Sequence, residues 1–141
     1  KTKDEDLIVQ ELAEGQEYTV LVSANDAGEL NGIIPVKVFQ KKGVTISAKI
    51  EMNKFIIEYA KKFHDKFRTS CIYNIQCILT NDNVVLPFEV NPRVSTTFCM
   101  SIAAGFDPFE LYLRKNTEEK LFIPLNEVRL HRSWKNNIFE S

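Results

Sequence analysis

The sequence predicts an α+β domain, a mainly antiparallel sheet flanked by helices. Three observations carry this. Segments rich in β-formers fill the first fifty residues, with turn residues between them. A stretch with helical spacing follows, and then two more strand-like runs close around Asp82-Asn83. Strands that return across short turns pair antiparallel.

Leu7 to Leu12 is a short apolar, strand-like run. Tyr18 to Ala24 reads as a strand, Asn25-Asp26-Ala27-Gly28 supplies turn chemistry, and Ile33 to Phe39 reads as the returning strand. Val44, Ile46, Ala48 and Ile50 alternate with Thr45, Ser47, Lys49 and Glu51, the pattern of a half-buried strand. The period then changes. Met52, Phe55, Ile56, Tyr59, Ala60, Phe63 and Phe67 fall at helical spacing with lysines and acids opposite, so this helix should cover one side of the sheet. His64 falls on its polar face and His131 near the basic carboxy-terminal end, and both read as surface residues. Asp107-Pro108-Phe109-Glu110 has the form of a helix start: a cap, a proline at the first position and an acid at the third. Phe122 to Leu130 reads as a further strand. Trp134, near Arg129, Arg132 and Lys135, reads as an aromatic packed on the domain by a terminal strand, ahead of a basic contact surface.

At 141 residues and 44% hydrophobic content the chain can bury one core, so residues 1–141 are read as a single domain. A formal net charge of −1 gives no electrostatic case for nucleic acid or an anionic membrane as partner. No apolar run is long enough to span a bilayer and no signal-peptide pattern opens the chain. Cys71, Cys77 and Cys99 lack CxxC spacing and read as buried, reduced thiols of a cytoplasmic protein. Beginning at Lys1 and entering a strand-like segment almost at once, the chain reads as a piece of something longer.

The hairpin from Ile72 to Val90 allows a register argument. With Asp82-Asn83 as a two-residue loop, Asn81 pairs with Val84. Ile75 then faces Val90, Cys77 faces Phe88 and Leu79 faces Leu86, an apolar surface. On the other surface Gln76 faces Glu89 and Asn74 faces Asn91. A three-residue loop would instead set Gln76 against Phe88, and a one-residue slip is costly where one face is buried. The expected hairpin therefore gathers Asn74, Gln76, Glu89 and Asn91 at its polar end. Pro92 ends the strand, and Arg93 lies at the mouth of that face.

This set suits a magnesium-phosphate site. Magnesium prefers oxygen ligands and is held by one or two protein groups together with substrate phosphates. One carboxylate with two amide oxygens supplies ligands without strong repulsion of a triphosphate, and Arg93 can make bidentate contacts to phosphoryl oxygens. On the residues alone, a cross-strand polar pair with Arg93 in a salt bridge is the competing reading.

Val9-Gln10-Glu11, Gly15-x-Glu17-Tyr18-Thr19-Val20, Asn74-Ile75-Gln76 and Glu89-Val90-Asn91-Pro92-Arg93 occur in an order and spacing that resembles the ATP-grasp superfamily, notably the ATP-binding domain of the carbamoyl-phosphate synthase large chain. Ser101-Ile102-Ala103-Ala104-Gly105-Phe106-Asp107 resembles the helix and turn after that signature. The likeness runs from about Leu7 to Leu113. It implies the carboxy-terminal subdomain of an ATP-grasp unit whose amino-terminal half, with its glycine-rich phosphate loop and lysines, is absent. By position, Glu11 and Ala13 would meet the adenine through backbone groups and Glu17 the ribose hydroxyls. Gln76, Glu89 and Asn91 would attend magnesium, with manganese as an alternative, and Arg93 the transferred phosphoryl group. Among Lys37, Lys41 and Lys42, Lys37 is the first choice for the phosphates, although the three read equally well as a solvated run. After Arg93 many relatives place a glycine where this chain has Val94-Ser95-Thr96-Thr97.

The resemblance implies Mg-ATP binding and an acyl phosphate, formed from a small-molecule carboxylate and displaced by an amine or ammonia. The parent would be an ATP-dependent ligase, and this piece, holding half a site, is expected to be inactive without the remainder. The other classes are a nucleotide-sensing module and a non-catalytic interaction domain on the same scaffold, since fold does not fix function. The sequence is silent on oligomeric state, a homodimer included.

Overall fold

The computed structural model describes residues 7, 9–114, 122, 124, 127–134 and 138. The segment 9–14 before the sheet is irregular, and Val9 and Leu12 are exposed, so the apolar run there forms no strand. The sheet is built from β1 (Gln16–Ala24), β2 (Leu30–Lys42), β3 (Val44–Ile50), β4 (Ile72–Leu79), β5 (Val85–Asn91) and β6 (Arg129–His131). Their order is β5-β4-β1-β2-β3-β6, and every adjacent pair is antiparallel. The helices are α1 (Lys54–Phe67), α2 (Cys99–Ala103) and α3 (Pro108–Arg114).

Side chains alternate across a strand, so the central β1 serves two faces. Tyr18, Val20 and Val22 point to one side, where Ile33, Tyr73, Ile75 and Cys77 join them beneath Ile56 and Ala60 of α1. Leu21 points to the other side, where Ile34, Val36, Ala48 and Ile50 pack with Met100 of α2 and with Phe106. β1 is therefore buried on both faces.

Helix α1 starts two residues after Met52, because the Asn53 side chain accepts from the Phe55 and Ile56 amides and caps the helix there. Met52 and Phe67, expected on the apolar face, lie half exposed, Met52 ahead of the helix and Phe67 at its last residue with its ring edge-on to Tyr73. His64 departs furthest from expectation. It is 3% exposed, with Nε2 donating to the Gly28 carbonyl at 2.9 Å and Nδ1 accepting from the Tyr73 hydroxyl at 3.1 Å. Both ring nitrogens are satisfied, so a residue patterned as polar can be buried and used to anchor the β1–β2 turn to the helix.

The β4–β5 hairpin keeps the expected register at one end only. Asn74 faces Asn91, Ile75 faces Val90 and Gln76 faces Glu89, but beyond a bulge Cys77 faces Pro87 and Leu79 faces Val85. The loop is three residues long: the Thr80 amide bonds to the Val84 carbonyl, and Asn83 takes a left-handed φ of 62°. Phe88 is the extra residue that returns the strand to register. The surface expected to be wholly apolar is divided: Ile75 and Cys77 are buried, whereas Leu86, Phe88 and Val90 stand exposed on an edge strand.

At the carboxy-terminal end the α3 start is as expected, Asp107 Oδ1 accepting from the Phe109 and Glu110 amides. Of the expected strand at 122–130, Arg129–His131 pairs with β3 and Phe122 makes an isolated bridge to Gly32. Residues 121, 123, 125 and 126 lie outside the described set, as does Lys135. Trp134 is 73% exposed rather than packed on the domain. Cys77 is buried, Cys71 half-buried and Cys99 exposed, so only one thiol is fully buried.

Gly15 joins the irregular segment to β1 at φ 153°, and a Cβ there would overlap the Leu79 carbonyl and lie 2.8 Å from Ile78 Cγ2. Gly15→Ala is expected to cost about 1–3 kcal/mol through overpacking against backbone that cannot swing aside. Denaturant titration of the two proteins measures it, and equal midpoints would contradict the close approach.

Candidate functional site

On the face opposite α1, the half of the sheet not covered by the second core forms an open cleft of about 240 Å³. Gln76, Glu89 and Arg93 line it, with Lys41, Asn74, and the hydroxyls of Thr19, Thr45, Ser95, Thr96 and Thr97. The register explains the gathering. Thr19 lies opposite Gln76 across β1–β4, and Gln76 lies opposite Glu89 across β4–β5, so three neighbouring strands present one row of polar side chains.

The contacts within this row are specific. Gln76 Nε2 donates to Glu89 Oε2, and Lys41 Nζ donates to Gln76 Oε1 at 2.9 Å and to Glu17 Oε1 at 2.8 Å. Glu17 thus joins the site through Lys41. Asn74 is 1% exposed, and its Nδ2 donates to the Arg93 carbonyl at 2.7 Å, tying β4 to the segment that follows β5. Its Oδ1, and Nδ2 of the facing Asn91, are buried without a hydrogen-bond partner. The Ser95 and Thr97 hydroxyls bond to each other at 2.7 Å, and Arg132 donates to the Thr96 carbonyl, holding that loop against the cleft.

Lys37 is elsewhere. It lies opposite Tyr18, on the α1 side of the sheet, with Nζ 3.3 Å from Glu51 Oε1. Of the three lysines, Lys41 is the one that lines the cleft, and Lys37, the first choice from sequence, lies on the other face. Plain alternation would set residues 37 and 41 on the same face. Register shifts between Val38 and Gln40 and between Gln40 and Lys41 change the phase. Glu11 is exposed and Ala13 half-buried on the irregular segment before β1, and neither lines the cleft. Thr19 was findable from sequence, being two residues from Glu17 on one strand face. Thr45 and Lys41 carry no such signal, because bulges decide their side.

Glu51 collects three partners: Lys49 at 2.8 Å, the Tyr18 hydroxyl at 2.5 Å and Lys37. Burial pushes its carboxyl up, but the hydrogen bonds from Lys49, Tyr18 and Lys37 outweigh that and hold it at about 2. Burial, then the Glu51 carboxylate, pushes the Tyr18 hydroxyl well above its ordinary value. Burial, with Glu17 adding to it, pushes the Cys77 thiol up to about 12, so that thiol is inert.

No group of three or more His, Cys, Asp or Glu that could hold a metal occurs among the described residues. The donor set in the cleft is of the other kind, one carboxylate with amides. Glu89 and Gln76 line the cleft, and Asn91, two residues along β5 on the same face, does not line it; together they fit a hard cation that retains water and phosphate ligands. The unpartnered Asn91 amide supports the fit, since a half-turn of that group puts its oxygen where the unbonded nitrogen lies.

Residues 3–133 match the family model described as ATP-grasp in the biosynthetic pathway with Ter operon. The chain belongs to this ATP-grasp family. Solved structures share the fold. Phosphoribosylaminoimidazole carboxylase ATPase subunit from Aquifex aeolicus matches with a TM-score of 0.59 at 21% identity, over 74% of this chain and 35% of that one. N5-Carboxyaminoimidazole synthetase from Staphylococcus aureus matches with a TM-score of 0.64 at 11% identity, over 79% and 33%. Biotin carboxylase from Campylobacter jejuni, solved as a β-γ-ATP complex, matches with a TM-score of 0.61 at 11% identity, over 74% and 26%. This ATP-grasp chain thus spans about a third or less of the length of these relatives. Comparison with curated proteins finds no match. No helix among the described residues is long and apolar enough to cross a membrane.

Because the folded Glu51 carboxyl sits at about 2, below its usual 4.5, it contributes stability fully above pH 4.5 and loses it as pH falls toward 2. Glu51→Gln is expected to lower stability at pH 7 and to flatten the decline across that window. Thermal unfolding from pH 7 to pH 2 tests this, and parallel acid limbs in the two proteins would contradict it.

Proposed function

We propose that this chain forms the carboxy-terminal part of the Mg-ATP site of an ATP-dependent ligase, of carboxylate-amine or carbamoyl-phosphate synthase type. The observation that carries the reading is the single cleft in which Glu89, Gln76, Lys41 and Arg93 converge. The family's description, in a biosynthetic pathway, is compatible with bond formation rather than breakdown. The narrower likeness to carbamoyl-phosphate synthase rests on the sequence elements alone. The unpaired cysteines agree with a cytoplasmic setting.

In such a reaction a carboxylate oxygen of the substrate attacks the γ-phosphorus of ATP. The bond from that phosphorus to the β,γ-bridging oxygen breaks, and its electron pair leaves with ADP. Nitrogen of an amine or ammonia then attacks the acyl carbon, the carbon–oxygen bond to phosphate breaks, and the nitrogen loses a proton. The contribution of the protein is positioning and charge stabilisation. Glu89, with Gln76 and Asn91 beside it, would hold magnesium, which when bound neutralises phosphate charge. Arg93 supplies a planar pair of donors for phosphoryl oxygens, and Lys41 a mobile point charge. Asn74 fixes the backbone of Arg93. Glu17, bonded to Lys41, would meet the ribose hydroxyls. Glu11 and Ala13 would offer backbone groups to the adenine once the remainder of the enzyme closes over that segment.

The test is magnesium-dependent ADP release by the full-length protein across a panel of carboxylates and amines. Glu89→Ala is expected to abolish it, and unchanged turnover would sink the metal assignment. Lys41→Ala is expected to reduce turnover about 10- to 100-fold, consistent with loss of one charge-stabilising donor. Lys37→Ala should act mainly on stability, and a larger turnover loss at Lys37 than at Lys41 would reverse the assignment.

A further inference from the structure

Arg93 lines two cavities. One is the polar cleft. The other, of about 480 Å³, is walled by Cys71 and Ile72 at the start of β4, by Pro92 and Val94 on either side of Arg93, and by Phe109 and Tyr112 of α3. Its volume falls within the roughly 300–1,000 Å³ of small-molecule sites. Among the described residues Arg93 is its sole charged lining residue. Phe109 and Tyr112 are 45% and 39% exposed, so aromatic surface at its rim stands in water.

Arg93 has donors to spare. Among the described residues its side chain makes one hydrogen bond, Nη1 to the Val94 carbonyl at 3.2 Å, out of five N–H groups. A ligand seated here therefore meets apolar walls and one guanidinium that also faces the cleft. An anionic head on an apolar body satisfies both. A small, fully hydrophilic acid would leave the apolar walls unused.

We propose that this second cavity is the subsite for an apolar or aromatic carboxylic acid, whose body lies against Ile72, Val94, Phe109 and Tyr112 while its carboxylate pairs with Arg93 at the junction of the two cavities. The assignment rests on the ATP-dependent reading above and names the class of acid that reading leaves open.

The experiment titrates the full-length protein, in the presence of magnesium and ATP, with 3-phenylpropionate, with its uncharged amide and with succinate, following binding by calorimetry. Nucleotide binding is titrated separately. Phenylpropionate is expected to bind at least tenfold more tightly than either comparison compound. Tyr112→Glu, a change at a partly exposed position, should weaken it at least tenfold, Tyr112→Phe should restore it, and Mg-ATP affinity should stay within twofold in both. No phenylpropionate binding by a protein that binds Mg-ATP overturns the subsite alone, as it would if another part of the enzyme fills the cavity. Preference for succinate, or indifference to Tyr112→Glu, does the same. Failure of the unsubstituted protein to bind Mg-ATP overturns the ligase reading, and the subsite with it.

Discussion

Everything at the cleft depends on the phase of side-chain alternation along the strands. A strand offers each residue to one face or the other, and a single extra residue reverses every assignment after it. Phe88 is such a residue in β5, and the shifts around Gln40 act likewise between β2 and β3. Together they set Glu89 beside Gln76 and bring Lys41 to the same cleft. Without them the carboxylate and the lysine would fall on the α1 side, away from the cleft.

The two faces have separate work. The α1 face is closed: its polar groups, His64 and the Glu51 cluster, are satisfied within the protein and serve stability. The opposite face is apolar under Met100 and Phe106, and polar where the cleft opens. There Asn74 and Asn91 keep buried atoms without partners, a condition folded proteins tolerate mainly where a ligand, ion or water completes the bonding. α1 packs on one face and the second core on part of the other, while β1, buried on both sides, holds the frame.

Much of the fold was legible because its pattern is strong. The period change near residue 52 located α1, Asp107-Pro108 located the start of α3, and the order Gln, then Glu-x-Asn-Pro-Arg, pointed to the row that Gln76 and Glu89 now form. The hairpin shows the limit. A two-residue loop and a smooth ladder give the same pairing at the polar end as a three-residue loop followed by a bulge. Counting from the turn therefore finds the Gln76–Glu89 pair and misses the third loop residue and the partners of Cys77 and Leu79. His64 was misplaced for a related reason: helical position alone takes no account of partners such as Tyr73 and Gly28, which come from distant parts of the chain.

By itself the sequence determined the element types, the antiparallel pairing of neighbours and the identity of the oxygen-bearing residues, because these follow from local periodicity and turn chemistry. Tertiary structure alone decided which lysine enters the cleft, that His64 is buried, and that Arg93 stands between a polar and an apolar cavity. Those outcomes depend on bulges and on contacts between residues far apart in sequence, whose energies no local pattern records.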